Sequence, residues 1–461
     1  MRPLEITIPS LLFVYLIWPH PRPVAIRLIP ALTIILILLH YGMEGYRWQM
    51  IPLYVLTSLL TVSSLVKIQS PTDWKPLASA LTLILLAVST ALPILLPVPS
   101  VPAPSGPYQV GTRIYELTDT TRKEIYSGKN EARRFMIQIW YPSEPGTSDQ
   151  QARWMDNAEI YAPAVSEHIG MPSFFLDHLA LMKVPAYVNA KVVQTGRVFP
   201  VILFSHGWQG FNAQNTGQAL QLASHGYIVI GVQHTYGAVI TVFPDGTVAN
   251  NNPTALPPDD TPTDQYEVTA QILVDQWAGD LGFTLDFMDI QNNDSNSPFF
   301  NSLDLARIGV YGHSTGGGAA IQFCGTDSRC TALFGQDPFM RPVSYEVIEH
   351  GVTQPSFFMF SQSWADKVDS RNNELFNEFY PRVTKALGAV FTEGTAHYDF
   401  SDLPLLSPLA PQLGLKGPIN GKRVTEINDD YLLNFFDATL KSGSKNLFEN
   451  PSPYPEVKTR K

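Results

Sequence analysis

The residues best placed to do chemistry lie in Gly312-His313-Ser314-Thr315-Gly316, followed directly by Gly317 and Gly318. A serine hydroxyl is a weak nucleophile until a base takes its proton and an acid orients that base. This serine follows the apolar run 307–311 and opens a stretch of small residues. That is the strand–turn–helix setting in which a G-x-S-x-G serine is held out on a sharp turn, with the acid and then the histidine later in the chain. The last histidine, His397 in Gly394-Thr395-Ala396-His397-Tyr398-Asp399-Phe400, follows the apolar run 389–391 and is the expected general base. Two aspartates compete for the acid: Asp337, after the run 331–334, and Asp366, after the run 356–360. Acyl transfer also needs two N–H donors for the developing oxyanion. Thr315, directly after the nucleophile, supplies one, and Trp208 in Ser205-His206-Gly207-Trp208 the other. His206 is expected to shape that loop rather than to carry protons. The chemistry implied is ester hydrolysis through an acyl-enzyme.

The elements that must position these groups are legible as alternating strands and helices. The run 134–141 alternates like a strand, and 198–204, 227–232, 307–311 and 356–360 are near-continuously apolar. Such runs suit parallel strands buried on both faces. Helical stretches are expected at 215–225, 267–288, 316–324 and 428–440. The pattern argues for an α/β fold, a mostly parallel sheet with helices on both faces. A segment rich in Pro, Asn, Asp and Thr, 242–264, reads as a long surface loop beside the site. Neither H-E-x-x-H nor paired histidines at ligand spacing occurs, so no metal is expected, and no cofactor. Cys324 and Cys330 could be bridged or free.

Only 16% of the 461 residues are charged, and they are unevenly spread. Residues 1–104 hold six basic and three acidic residues, which leaves a net −13 behind them. That balance argues against a nucleic-acid partner. The front part contains uncharged apolar runs at 6–18, 28–41, 48–66 and 77–96. About 20 such residues cross a bilayer core, so three or four transmembrane helices are expected over 1–97. Arg22 and Arg27 lie in one loop, Lys67 and Lys75 in another. By the positive-inside rule these face the cytoplasm, so Glu44, Arg47 and everything after Leu96 face the extracytoplasmic side of a plasma or inner membrane. A Pro-rich linker at 98–105 then leads to a catalytic domain over 106–442 and an exposed tail over 443–461.

The motifs together resemble the plasma-type, lipoprotein-associated platelet-activating-factor acetylhydrolases and their bacterial relatives. The resemblance runs from about Gly106 to Leu440. It rests on Phe204-Ser205-His206-Gly207, Ala223-Ser224-His225-Gly226-Tyr227-Ile228-Val229, Gly312-His313-Ser314-Thr315-Gly316-Gly317 and Gly394 to Phe400. It implies an α/β-hydrolase fold and calcium-independent hydrolysis of short or oxidised sn-2 acyl chains of phospholipids, with Asp337 as the acid. Trp208 and Thr315 stand where that family carries other apolar residues, and its secreted members lack the membrane front. The family also implies a lipid-docking helix near 172–182, where Phe174, Phe175, Leu179 and Met182 are candidates for the lipid interface; the same spacing fits an amphipathic helix packed on the core equally well. The alternative enzyme is a carboxylesterase or polyester hydrolase of the dienelactone-hydrolase-like group, which would favour Asp366. The alternative of another class is a catalytically silent hydrolase fold serving as a membrane receptor or scaffold. Oligomeric state is left open.

Overall fold

The near-continuous apolar runs form the middle of an eleven-stranded sheet in the computed structural model, which describes residues 1–66, 75–194 and 196–460. In chain order the strands are β1 (Gln109–Lys123), β2 (Ala132–Ser143), β3 (Gln151–Arg153), β4 (Lys183–Val188), β5 (Phe199–Ser205), β6 (Ile228–Gln233) and β7 (Ile240–Val242). They continue with β8 (Val248–Asn250), β9 (Leu303–His313), β10 (Ala332–Gln336), β11 (Ser356–Ser361), β12 (Ala386–Thr392) and β13 (Val457–Thr459). The sheet order is β13-β12-β11-β10-β9-β5-β6-β2-β1-β4-β3. Every neighbouring pair from β12 to β6 is parallel. β5, β6 and β11 are buried at every position, as strands covered on both faces must be.

Alternation along β9 shows the two covering layers. Gly309 and Tyr311 face Phe436 of the helix Gly421–Leu440. Ile308 and Val310 point the other way and share a core with Leu281, Leu285 and Ile321 from the helices Thr263–Asn293 and Thr315–Thr326. The first of those helices is also pinned by charge. Asp280 accepts two hydrogen bonds from Arg133, at 3.0 and 2.6 Å, and one from Arg122 at 2.9 Å. Arg133 in turn donates to Glu124 at 2.5 Å, and Asp280 and Arg133 are both fully buried.

Three expectations change here. The stretch 242–264 is not one open loop: β7 and β8 make a hairpin, Pro253–Ala255 forms a short helical turn, and the long helix starts at Thr263. The tail 443–461 is not wholly exposed, since β13 pairs antiparallel with β12 and buries Val457. An open edge on β12 would leave a row of unpaired main-chain groups, and β13 covers part of it. Cys324 and Cys330, left open by the sequence, are bridged at the end of the helix Thr315–Thr326.

A second compact unit comprises Met1–Ser100, Met155–Met182 and Leu406–Leu409. Its helices are Pro3–Ile17, Ile29–Leu39, Ile51–Val66 and Lys75–Leu95, with a short Val24–Arg27 before the second. Two helical stretches, Trp48–Val66 and Leu77–Leu95, are long and apolar enough to cross a membrane, at 19 residues each; Pro3–Ile17 and Ile29–Glu44 are shorter. Ile8, Leu12, Met50, Leu53, Leu56 and Leu86 pack inside the unit. Leu38, Leu59, Leu65 and Ile84 are exposed on its outside. Arg47 and Glu5 are buried and paired at 2.7 Å, Arg2 joins Glu5 at 2.8 Å, and Arg47 caps the carbonyl of Leu96 at 2.8 Å. Lys67, one of the charges that orient the spans, lies outside the described residues.

The segment 155–182 joins this helical unit instead of presenting a free helix. It carries the α-helix Ala158–His168, but within 172–182 only Asp177–Leu181 is helical, as a short 3-10 turn. The Trp48 indole N–H donates to Phe175 O at 3.1 Å and its ring meets Phe174 edge-on at 5.4 Å. Leu179 and Met182 are buried, at 1% and 0% exposure, so they cannot meet lipid; Phe174 is 49% exposed. Of the four residues read as lipid-facing, Leu179 and Met182 are thus withdrawn into the interior, while Phe174 and Phe175 meet Trp48 and Phe174 keeps an exposed face.

Asp280→Ala should destabilise the sheet unit by about 3–5 kcal/mol, because it removes the carboxylate that Arg133, Arg122 and His234 share and leaves Glu124 alone to offset the buried Arg133 cation. Denaturant unfolding in detergent measures this; a loss below about 1 kcal/mol would refute the role given to this network.

Candidate active site

Five adjacent parallel strands deliver the candidate residues at their C-terminal ends. Ser205 ends β5, His313 ends β9 and Ser361 ends β11, while Ser314 and Asp337 directly follow β9 and β10. His397 follows β12 after a short turn. Crevices beyond the carboxyl ends of such strands are where open α/β sheets bind ligands.

Ser314 sits at φ 57°, ψ −124°, a conformation rare for a residue with a side chain. The strain is tolerated because its neighbours over-determine the turn. Ser314 N–H donates to Gln336 O at 3.0 Å, and Ser314 O accepts from Phe339 N–H at 2.9 Å and Gly318 N–H at 3.1 Å. The glycines are compulsory. A Cβ at Gly312 would lie 2.1 Å from Gly316 O, and one at Gly316 would lie 2.1 Å from Ser205 O.

Of the two competing aspartates, it is Asp337 that the structure brings to His397. His397 Nδ1 lies 2.9 Å from Asp337 Oδ2. Asp337 is fully buried and also accepts from Ser361, at 2.8 Å from its N–H and 2.6 Å from its hydroxyl. Burial raises the Asp337 carboxyl above the ordinary aspartate range, and the two Ser361 donors act against that rise. An acceptor at Nδ1 fixes the neutral His397 tautomer and leaves Nε2 free as a base. Trp364 stacks flat on the imidazole, with centroids 4.3 Å apart and planes 3° apart.

His313 ties this histidine to the nucleophile turn. Its Nε2 donates to the His397 carbonyl at 2.9 Å, its Nδ1 faces the Gln214 amide at 3.4 Å, and the two rings lie 4.5 Å apart. Because His313 and Ser314 are consecutive, the contact keeps the base beside the serine. The Ser314 hydroxyl has no hydrogen-bond partner among the described residues. Catalytic hydrogen bonds commonly tighten only when substrate binds.

On the oxyanion side, Thr315 is the first residue of its helix, where a main-chain N–H has no helical acceptor. The Trp208 side chain packs against Ala255, Leu273, Val274, Trp277 and Ala319, so the segment after β8 does border this loop. Neither the Trp208 nor the Thr315 N–H donates to a protein group among the described residues. Asp366 stands apart: it is exposed at the end of the short helix Gln362–Ala365, with no hydrogen bond to His397. Sequence reasoning missed the shell of Gln214, His313, Ser361 and Trp364. His313 occupies a variable position of the motif, and the other three are marked by no spacing at all. The one group of potential metal ligands within reach of each other among the described residues is Glu5, His40 and Glu44 in the helical unit. Arg2 and Arg47 already pair with those carboxylates.

Comparison with known proteins places relatives beside this geometry. The family described as platelet-activating factor acetylhydrolase, isoform II, matches residues 97–268 and 279–450. The platelet-activating factor acetylhydrolase of Cavia porcellus is 28% identical over 359 residues, covering 74% of this chain and 78% of its own. A probable 1-alkyl-2-acetylglycerophosphocholine esterase of Arthroderma benhamiae is 25% identical over 397 residues, covering 77% of this chain and 92% of its own. Among solved structures, a ferulic acid esterase from Streptomyces cinnamoneus superposes with a TM-score of 0.63 at 24% identity, covering 79% of this chain and 99% of that one.

Burial first, and the Lys367 cation second, hold the His397 imidazole below the usual histidine value. A base whose proton leaves at lower pH is ready at lower pH. The acid limb of kcat/KM for a soluble ester should therefore reach half-height below about pH 6.5, the unperturbed value. A midpoint above 6.5 would contradict this reading of the site.

Proposed function

The chain belongs to the platelet-activating factor acetylhydrolase isoform II family, and from that membership and the site geometry we propose a serine ester hydrolase that removes short or modified sn-2 acyl chains from phospholipids. Ser314 Oγ attacks the ester carbonyl while His397 Nε2 takes its proton. Asp337 holds the imidazole in the required tautomer and stabilises the imidazolium. The N–H groups of Trp208 and Thr315 receive the charge that develops on the carbonyl oxygen. His397 then returns the proton to the leaving alcohol, and water activated by the same nitrogen releases the acid from Ser314. The observation that carries this reading is the 2.9 Å contact between His397 and a buried, doubly supported Asp337 beside the strained Ser314 turn.

The substrate class follows the relatives named for platelet-activating factor and for 1-alkyl-2-acetylglycerophosphocholine. The helical unit supports a membrane anchor, with the hydrolase on the extracytoplasmic side. Its outward side chains Leu38, Leu65 and Ile84, at 68%, 76% and 59% exposure, are costly in water and suited to lipid. An exposed Asp366 without a hydrogen bond to His397 gives no support to an acid from the later strand.

A fluorophosphonate probe should label the full-length protein in detergent at Ser314 and leave Ser314→Ala unlabelled; equal labelling removes the assignment. Asp337→Asn should lower kcat by about 10²–10⁴-fold, whereas Asp366→Asn should stay within about threefold of wild type. The reverse order would move the acid to Asp366. Across a phosphatidylcholine series, kcat/KM should fall as the sn-2 chain lengthens from acetyl; a flat profile, or one unaffected by removing phosphocholine, would set aside the phospholipid substrate.

A further inference from the structure

The loop that carries Trp208 is held by a side chain with no part in the steps above. His206 is fully buried, as are Ser205 and His234. Its Nδ1 lies 2.7 Å from Gly207 O, and its Nε2 lies 3.1 Å from the main-chain N of His234. A carbonyl only accepts and a main-chain N–H only donates, so these contacts require a neutral ring with its proton on Nδ1. A second proton on Nε2 would face another N–H. Burial, then the neighbouring His234, acts in the same direction by holding His206 well below the usual histidine value.

His234 is itself fixed. Its ring stacks on Trp277, with centroids 4.2 Å apart and planes 7° apart. Its Nδ1 lies 3.0 Å from Asp280 Oδ2 and its Nε2 2.9 Å from the Ser205 hydroxyl. The Asp280 carboxylate calls for a donor at Nδ1, so the Ser205 hydroxyl donates to Nε2. The ionic network that pins the long helix thus continues, bond by bond, to the oxyanion loop.

The consequence runs through one peptide plane. The peptide between Gly207 and Trp208 is trans, so its C=O and N–H point in opposite directions. The carbonyl is drawn to His206 Nδ1–H and also accepts Gly210 N–H at 2.9 Å. The Trp208 N–H is thereby turned away from His206. Gly207 itself abuts the nucleophile: a Cβ built there would lie 3.2 Å from Ser314 Cβ. We propose that His206 is a positioning residue for ester hydrolysis, whose Nδ1–H sets the Gly207–Trp208 peptide so that the Trp208 N–H faces the oxyanion. This inference rests on the serine-hydrolase reading of the site.

Two substitutions separate positioning from packing. Asn at 206 places an amide N–H where Nδ1 stands, whereas Gln reaches only toward the Nε2 position. In the full-length protein His206→Asn should keep kcat within about fivefold of wild type. His206→Gln should lose about 10- to 100-fold in kcat, with KM changed less than about threefold, the size expected when an oxyanion donor is misaligned. The thermal midpoints of the two variants should agree within a few degrees. Equal kcat values, a greater loss in Asn than in Gln, or a loss confined to KM would overturn the proposal. Ser314→Ala in the same assay sets the floor and reports on the hydrolase assignment, while the order of the two variants above that floor reports on His206. A readout independent of turnover is the ¹⁵N spectrum of histidine-labelled protein. His206 should show a protonated Nδ1 that does not titrate between about pH 5 and 8; a proton on Nε2 would refute the assignment.

Discussion

The turn at Ser314 exists because nothing projects from positions 312 and 316. Any side chain there would stand about 2 Å from main-chain atoms of the same turn or of the end of β5. That close approach brings the nucleophile to the strand end from which the oxyanion loop departs. It also draws Ser314 N–H onto Gln336 O, at the end of β10, one residue before Asp337. Three neighbouring strand ends are thus clamped together by main-chain contacts. The contact between His397 and Asp337 is built on that clamp, and the unfavourable φ of Ser314 is maintained by it.

Much of this frame was legible in the sequence, because it is written in local signals. Continuous apolar runs mark strands buried on both faces, and a glycine-flanked serine after such a run marks the turn. Chain order singles out His397. What remained illegible depends on contacts between residues far apart. Nothing local indicates that Trp364 stacks on His397, that Ser361 supports Asp337, or that His313 binds the His397 carbonyl. The choice between Asp337 and Asp366 turns on burial, which residue type alone does not reveal. Val457–Thr459 carries no more strand signal than the residues around it, and becomes a strand because β12 offers an open edge.

The same reasoning explains why 172–182 admitted two readings. An apolar stripe looks alike whether it faces lipid, a partner or the chain's own helices. The deciding partner here, Trp48, is more than a hundred residues away. The charges Glu5 and Arg47 show the converse. Arg47, read from the sequence as a charge in an extracytoplasmic loop, is buried against Glu5, whose loss would leave that cation facing main-chain carbonyls. Buried pairs recur in the sheet unit around Asp280, so both units rely on matched charges placed where apolar residues would pack as well.

The inclusion of 155–182 in the helical unit has a consequence for how the chain can be divided. The catalytic sequence leaves its own sheet after β3, contributes that segment to the other unit, and returns at β4. The Pro-rich joint near residue 100 is therefore not a clean seam. Cleavage there would separate the helices from the 155–182 segment of their own unit and uncover the apolar contact of Phe174 and Phe175 with Trp48. The two units are interleaved in sequence, and neither can be released as an intact module by one scission.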